Sequence, residues 1–180
     1  MRLSLLFVLA ICHVLLSGNT VFAQNNSGAR LEKDWGWEFG AQLSTVLPNK
    51  VDGVDEIFYT SGARVGGPIG NDMAFWEGVI SSGNDEGVKW NQGSLGARIG
   101  LPIDSLLAIV FLGIDGTQYE ADGAEDKLYL GTHFGGGFMT EIAGGVFFRT
   151  DMKMVFTPGS TMHINFGFVF RLPRSGGGGN

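Results

Sequence analysis

Two histidines follow the N-terminal apolar run of the chain, His133 in "LGTHFGGG" and His163 in "TMHINFG". A catalytic histidine needs a nucleophile such as serine or cysteine within hydrogen-bonding reach. Thr161 and Asn165 flank His163, and no serine stands two residues on. Because no Ser/His/Asp order, Cys/His pair or pair of carboxylates at catalytic spacing is present, we read both histidines as members of an interior polar network. No catalytic residue is predicted.

Acidic side chains form two runs that could bind divalent cations through hard oxygen ligands. The runs contain Asp52, Asp55 and Glu56, and then Glu120, Asp122, Glu125 and Asp126. Neither run has the spacing of an EF-hand loop, so solvated surface charge is the simpler interpretation, with cation binding at these loops as the alternative. The glycine-rich stretches "GGPIG" and "FGGGF" lack the lysine and following helix of a phosphate loop. The sequence predicts no metal site and no cofactor.

A third set of charges alternates with apolar residues in "VFFRTDMKMVF", residues 146–156. Arg149, Asp151 and Lys153 occupy every second position, and neighbouring side chains of a β-strand point to opposite faces. One face of this strand is therefore charged and the other apolar. In a soluble barrel the charges would face water outside, whereas in a membrane barrel they would face the interior.

The same alternation recurs along the chain and predicts eight strands separated by turns. They cover residues 35–47, 57–66, 73–82, 93–101, 106–120, 128–139, 146–156 and 161–172. The stretch "GNDEGVKWNQ", residues 83–92, is predicted as a polar loop. Longer polar connections alternate with short turns, as expected for an antiparallel up-and-down arrangement.

The termini and the composition predict export. Residues 1–23 have a basic start and an apolar run of about 14 residues, shorter than the roughly 20 of a transmembrane helix, and are typical of a cleaved signal peptide. Residues 24–34 form a polar leader and residues 173–180 a glycine-rich tail. The chain has 18 acidic and 12 basic residues without a basic stripe, so nucleic acid is not an expected partner.

Three observations favour charges inside and lipid outside. The apolar face of the last strand carries Met162, Ile164, Phe166, Phe168 and Phe170, which would overfill an eight-stranded interior. Tryptophans and tyrosines concentrate near the strand ends, as in the aromatic girdles of membrane barrels. The even strand count, with longer loops on one side, agrees with outer-membrane topology.

This arrangement assigns two sets of residues. The predicted polar network of the lumen contains Glu38, Arg64, Glu77, Arg98, Arg149, Asp151, Lys153, His163 and Arg171. The predicted aromatic girdles contain Trp35, Trp37, Tyr59, Trp76, Trp90, Tyr119 and Tyr129.

The stretch "YLGTHFGGGFMTEIAGGVFFRTDMKMVFTPGSTMHINFGFVFRL" resembles the closing strands of the small outer-membrane β-barrel family, the OmpA/OmpX-like and opacity-type proteins. A glycine-rich strand, a short turn, a strand of alternating charges and a final Gly/Phe strand recur in that family. The resemblance extends over residues 35–172 in layout. It implies an all-β, eight-stranded antiparallel up-and-down transmembrane β-barrel in the outer membrane of a Gram-negative bacterium.

The leading functional hypothesis is an outer-membrane barrel with a packed polar lumen, no enzymatic activity, and a structural or surface-interaction role through its acidic loops. Its expected partners are outer-membrane lipid and a surface ligand or divalent cations at those loops, and the expected state is a monomer. Two alternatives stay open: a soluble, lipocalin-like barrel that binds a small apolar ligand, and an outer-membrane enzyme that modifies lipid.

Overall fold

The computed structural model describes residues 35–85, 87–121 and 127–173 of the chain. The predicted signal peptide (1–23), the leader (24–34) and residues 174–180 of the tail lie outside the described residues. So do the loop acids Asp122, Glu125 and Asp126.

Eight strands account for most of the described chain. They are β1 (Trp35–Asn49), β2 (Phe58–Ile69), β3 (Asn71–Asp85), β4 (Val88–Ile103), β5 (Leu106–Glu120), β6 (Lys127–Ala143), β7 (Val146–Val155) and β8 (Ser160–Pro173). Each strand pairs antiparallel with its neighbour in sequence, and β8 pairs with β1 to close the barrel. The predicted eight-stranded up-and-down barrel is confirmed. No helix in the described part of the chain is both long enough and apolar enough to cross a membrane.

The two ends of the barrel differ in their connections. At one end, which we call the loop end, the chain passes through residues 50–57, 86–87, 121–126 and 156–159. At the other, the turn end, only residues 70, 104–105 and 144–145 join the strands. Both ends of the described chain, Trp35 and Pro173, lie at the turn end, where they pair with each other.

The prediction of a polar loop over residues 83–92 is wrong. β3 continues to Asp85 and β4 begins at Val88, so only two residues separate the strands. Gly87 has a φ of 79°, which glycine adopts without strain and which allows so tight a turn. Val88, Trp90 and Gln92 continue the inward face of β4, although the charged residues around them concealed this alternation in the sequence.

The barrel wall separates side chains by chemistry. On β8 the outward side chains of Phe166, Phe168 and Phe170 are each about half exposed, whereas the inward Asn165 and Arg171 are buried. The other strands repeat this pattern, with Leu43, Ile80, Leu112 and Leu130 among the most exposed side chains. A soluble protein would bury such residues. The wall is therefore apolar outside and polar inside.

Candidate functional site

The interior of the barrel is built in three layers. At the loop end an apolar mouth cluster contains Val46, Val51, Val54, Phe58, Val88, Trp90, Tyr119 and Ala121, with Tyr129 packed against it. At the turn end an apolar floor cluster contains Leu107, Ile109, Met139, Phe147 and Val169, with Trp35 packed against it. Polar and charged side chains lie in the barrel between these two clusters, and we call them the charged layer.

The mouth cluster includes residues from a loop as well as from strands. The connection between β1 and β2 makes a tight turn in which Val54 N donates to Val51 O at 3.1 Å. Gly53 supplies the positive φ of 72° that this turn requires. The side chains of Val51 and Val54 are 3% and 2% exposed, so this loop folds over the barrel mouth and packs into it.

All nine residues of the predicted lumen network lie in the interior, and their side chains are buried or nearly so. Within the described chain the charged layer sets four carboxylates against five cationic side chains. The carboxylates are Glu38, Glu77, Asp115 and Asp151, and the cations are Arg64, Arg98, Arg149, Lys153 and Arg171.

Glu38 joins the two ends of the sheet. Its carboxylate accepts hydrogen bonds from Arg98 Nη2, which lies 2.8 Å from both oxygens. Arg171 Nη2 is 2.6 Å from Glu38 Oε1, across the seam where β8 closes on β1. The guanidinium groups of Arg98 and Arg171 also lie over the ring of Phe75, at 4.8 and 5.4 Å from its centre. An aromatic face attracts such cations, so the charged layer rests on aromatic rings toward the turn end.

Glu77 and Asp151 form the centre of the charged layer. Arg149 donates to Glu77 and, through Nε, to Asp151 Oδ2 at 2.6 Å. Arg64 Nη1 lies 3.4 Å from Asp151 Oδ2 and 3.6 Å from Glu77 Oε2. Asn165 Nδ2 donates to the other oxygen of Asp151 at 2.6 Å. One carboxylate thus holds side chains from three strands, which ties β2, β7 and β8 together through the interior.

Lys153 does not pair with Asp151, although the sequence places it two residues away on the same face. Its ammonium donates to Asp115 Oδ1 at 3.1 Å, to Ser94 Oγ at 3.0 Å and to Gln92 Oε1 at 3.2 Å. Although Asp151 stands between Arg149 and Lys153 in the sequence, its second cation in the structure is Arg64 from β2.

The sequence did not identify Asp115. This residue is 2% exposed and contacts His133 Nδ1, Ser94 and Lys153. Its strand is apolar on both faces over its first half, which obscured the alternation. The alternation of side chains along β5 would have identified it, because Asp115, Thr117 and Tyr119 occupy every second position and all three are buried.

Neither histidine forms part of a reactive site that solvent can reach. His163 is 1% exposed, its Nε2 lies 2.9 Å from Thr161 Oγ1, and Trp90 of the mouth cluster lies above it with the ring centres 6.4 Å apart. His133 is 7% exposed and contacts Asp115. Both side chains therefore belong to the charged layer.

The predicted aromatic girdles are wrong for four of their seven members. Trp90 and Tyr119 are 0% and 1% exposed, and they stack inside the barrel with ring centres 5.5 Å apart. Tyr129 stacks on Tyr119 from the next strand. Trp35 packs inward against Phe147, with ring centres 5.8 Å apart.

The alternation of inward and outward side chains explains three of these errors, because Trp90, Tyr119 and Tyr129 continue the inward faces of their strands. Trp35 precedes an irregularity in the β1–β8 pairing, between Trp35 and Glu38, that breaks the alternation. The remaining members lie on the outer wall. Trp37 and Tyr59 are 54% and 63% exposed, and Trp76 packs edge-on against Trp37.

The loop-end acids that the structure describes show no metal-binding geometry. Asp52, Asp55, Glu56 and Glu120 are exposed, and no group of three or more His, Cys, Asp or Glu side chains among the described residues could hold a metal ion.

Comparisons with known proteins identify the fold. No family model matches the chain, and no curated protein is similar to it in sequence. Solved barrels match its structure: the N-terminal barrel of Pseudomonas aeruginosa OprF has a TM-score of 0.60 at 12% identity, covering 77% of this chain and 99% of that one. Neisserial surface protein A has a TM-score of 0.60 at 10% identity, with coverages of 78% and 98%. Ail of Yersinia pestis has a TM-score of 0.50 at 13% identity, with coverages of 77% and 97%.

Burial decides between the soluble and the membrane interpretation of this fold. The charged side chains of the interior are buried, and the most exposed of them, Glu77, is 11% exposed. Leu, Ile and Phe side chains cover the outside. A barrel surrounded by water would gain free energy from the reverse arrangement. The chain therefore has the fold of the eight-stranded outer-membrane β-barrels, with its charged side chains inside and its apolar side chains on the outer face of the wall.

Proposed function

We propose that this protein is a closed, non-conducting barrel that has a structural role in the outer membrane and presents an acidic surface at its loop end. The observation that carries the proposal is the layering of the interior. Two apolar clusters enclose the charged layer, so an ion entering from either side would first meet side chains such as Trp90 or Phe147, which are 0% exposed.

The charged layer itself also opposes conduction. Its carboxylates are held by arginine and lysine side chains at 2.6 to 3.7 Å, and a permeating ion would have to displace these partners. Breaking such buried pairs is costly because each charge would be left without solvent or partner. Eight-stranded barrels have interiors just wide enough for side chains, whereas aqueous channels appear at about 16 strands.

A surface role follows from what the loop end exposes. Asp52, Asp55 and Glu56 point outward from the loop whose valines close the mouth, and Ile57 and Tyr59 beside them are 51% and 63% exposed. The similar barrel Ail is named an attachment invasion locus protein. We extend a surface-interaction role to this chain, with a partner that carries cationic groups beside an apolar patch.

The test of the closed barrel is electrical recording of the purified protein in planar bilayers. We expect no steady single-channel current, with a 16-stranded porin in the same bilayers as the positive control. Folding into parallel vesicles is checked by gel electrophoresis, because the heated, unfolded protein migrates more slowly than the unheated barrel. A reproducible open state from the monomeric barrel would contradict the proposal.

A further inference from the structure

The outer wall has a hollow that the fold does not require. It has a volume of about 820 Å³ and crosses strands β1 to β6. Small residues form its base, and larger apolar side chains surround it, among them Ile80, Leu95, Ile114 and Leu130. Ligand pockets in proteins typically measure about 300–1,000 Å³, so the hollow is large enough to hold part of a small molecule.

The base of the hollow consists of glycines that could carry a side chain. Gly93 and Gly116 are directly paired on β4 and β5, and Gly78 lies on β3. A Cβ atom added to Gly93 would meet nothing within 4 Å, and one added to Gly116 would make only ordinary contacts at 3.6 and 3.8 Å. None of the three has a positive φ. Neither packing nor backbone conformation therefore requires glycine here.

Other glycines of the barrel have evident structural reasons. Gly67 also faces outward, but the indole of Trp76 covers it, 2.9 Å from where a Cβ atom would be. At the inward Gly137, a Cβ atom would lie 2.5 Å from the Cα and Cβ atoms of Asp151. Glycine weakens a strand, and without a packing reason it often marks close approach of a ligand or of another backbone. The free space at Gly93 and Gly116 is consistent with such an approach.

The position of the hollow identifies its occupant. It lies in the apolar belt, and polar side chains follow directly toward the loop end. Asn91 and Gln118 stand two residues beyond Gly93 and Gly116, roughly 7 Å along the strands. The exposed pair Lys89 and Glu120, with 3.7 Å between Nζ and Oε2, comes two residues further. The hollow therefore opens where the acyl chain of a lipid meets its head group.

We propose that this hollow is a binding site for one acyl chain of a membrane lipid. The alternative occupant, a second copy of the barrel, fits less well. Specific protein interfaces bury about 800 Å² per partner, and a hollow bounded by a few side chains on a convex wall offers much less. Recognition lies in the acyl chain, because the surface of the hollow is largely apolar although Arg64, Ser94 and Asp115 also line it, and the head group remains at the polar rim.

Native mass spectrometry of the barrel in detergent with added palmitoyl-oleoyl phosphatidylglycerol tests this site. The wild-type barrel should retain one lipid under activation, and phosphatidylethanolamine with the same chains should be retained equally. Gly93→Leu projects a side chain from the base into the hollow and should retain about tenfold less lipid, since losing the burial of two methylene groups changes a binding constant by about this factor. Thr150→Leu places the same side chain on the outer face of β7, a strand that contributes no residue to the hollow, and should change nothing.

Three results would overturn the proposal: equal retention by Gly93→Leu and wild type, equal loss in Thr150→Leu, or barrel dimers that disappear in Gly93→Leu. Strong preference for one head group would also overturn the chain-based recognition. Heat-dependent gel mobility shows whether each variant is folded. If Gly93→Leu fails to fold, Gly116→Leu and Gly93→Ala are the replacements, and unchanged retention in both would reject the site.

Discussion

At the residue scale, Asp151 is one of the interior carboxylates that contact three side chains each, as Glu77 and Asp115 also do. Asp151 holds Arg149, Arg64 and Asn165, which come from three different strands. Its side chain is 2% exposed, so none of these partners could turn to water if the carboxylate were lost. Asp151 contributes less through one ion pair than as the second carboxylate between Arg64 and Arg149, which also share Glu77.

We expect Asp151→Ala to lower the free energy of unfolding in detergent by about 3–5 kcal/mol, because three carboxylates would then face five buried cations and Arg64 and Arg149 would share Glu77 alone. Asp52→Ala removes an exposed charge from the β1–β2 loop and should cost well under about 1 kcal/mol. Urea titration followed by tryptophan fluorescence measures both. Equal costs for the two variants would mean that this face of β7 is hydrated.

The outward face of β8 gives a second test at this scale. Phe168→Arg places a charge in the apolar belt and should cost about 2–4 kcal/mol of stability in lipid bilayers. Phe168→Leu keeps the side chain apolar and is the matched control. A tolerated arginine at this position, measured by reversible unfolding in the same vesicles, would contradict the lipid-facing assignment.

At the element scale, the strands divide their glycines between two uses. Inward glycines make room for large interior side chains, as Gly137 does for Asp151 on the adjacent strand. The outward Gly93 makes no such room within the protein, because the space beside it is open. The same residue type therefore has opposite effects on stability on the two faces of the wall.

We expect Gly137→Ala to destabilise the barrel by about 1–3 kcal/mol, because the added methyl group overlaps the neighbouring strand. Gly93→Ala should stabilise it slightly, by up to about 1 kcal/mol, because alanine has less conformational freedom to lose in the strand. Unfolding midpoints in detergent compare the two variants. The reverse order would mean that Gly93 meets a constraint inside the protein.

At the scale of the whole molecule, the two ends of the barrel present different surfaces. The loop end carries Asp52, Asp55 and Glu56, whereas the turn end exposes Asp104 as the charged residue of its tight β4–β5 turn. Binding that depends on surface charge should therefore be localised at the loop end, and it should weaken with salt because exposed charges are screened.

We expect the triple variant Asp52→Asn, Asp55→Asn, Glu56→Gln to bind polylysine-coated surfaces less than wild type, measured on intact proteoliposomes at low ionic strength. Asp104→Asn, at the opposite end, is the matched control and should bind as wild type does. Equal binding by all three proteins would remove the support for an acidic interaction surface at the loop end.

The sequence by itself determined the strand count and the face on which each strand keeps its charges. These properties are local, since the alternation of side chains follows from the geometry of each strand. Because of this alternation, all nine residues that were predicted to face the interior do so, from Glu38 on β1 to Arg171 on β8. Prediction failed where local signals were masked: Trp90 in a stretch rich in charge, and Asp115 in a strand apolar on both faces.

Only the tertiary structure decided which interior charges meet and what encloses them. Lys153 reaches Asp115 on β5 rather than Asp151 on its own strand, and Glu38 pairs with Arg98 from β4, across the barrel. Such pairs depend on the tilt and stagger of all eight strands, which closure sets together. The apolar clusters that seal the lumen likewise combine residues from strands and from one loop, because their side chains become neighbours only when the barrel closes.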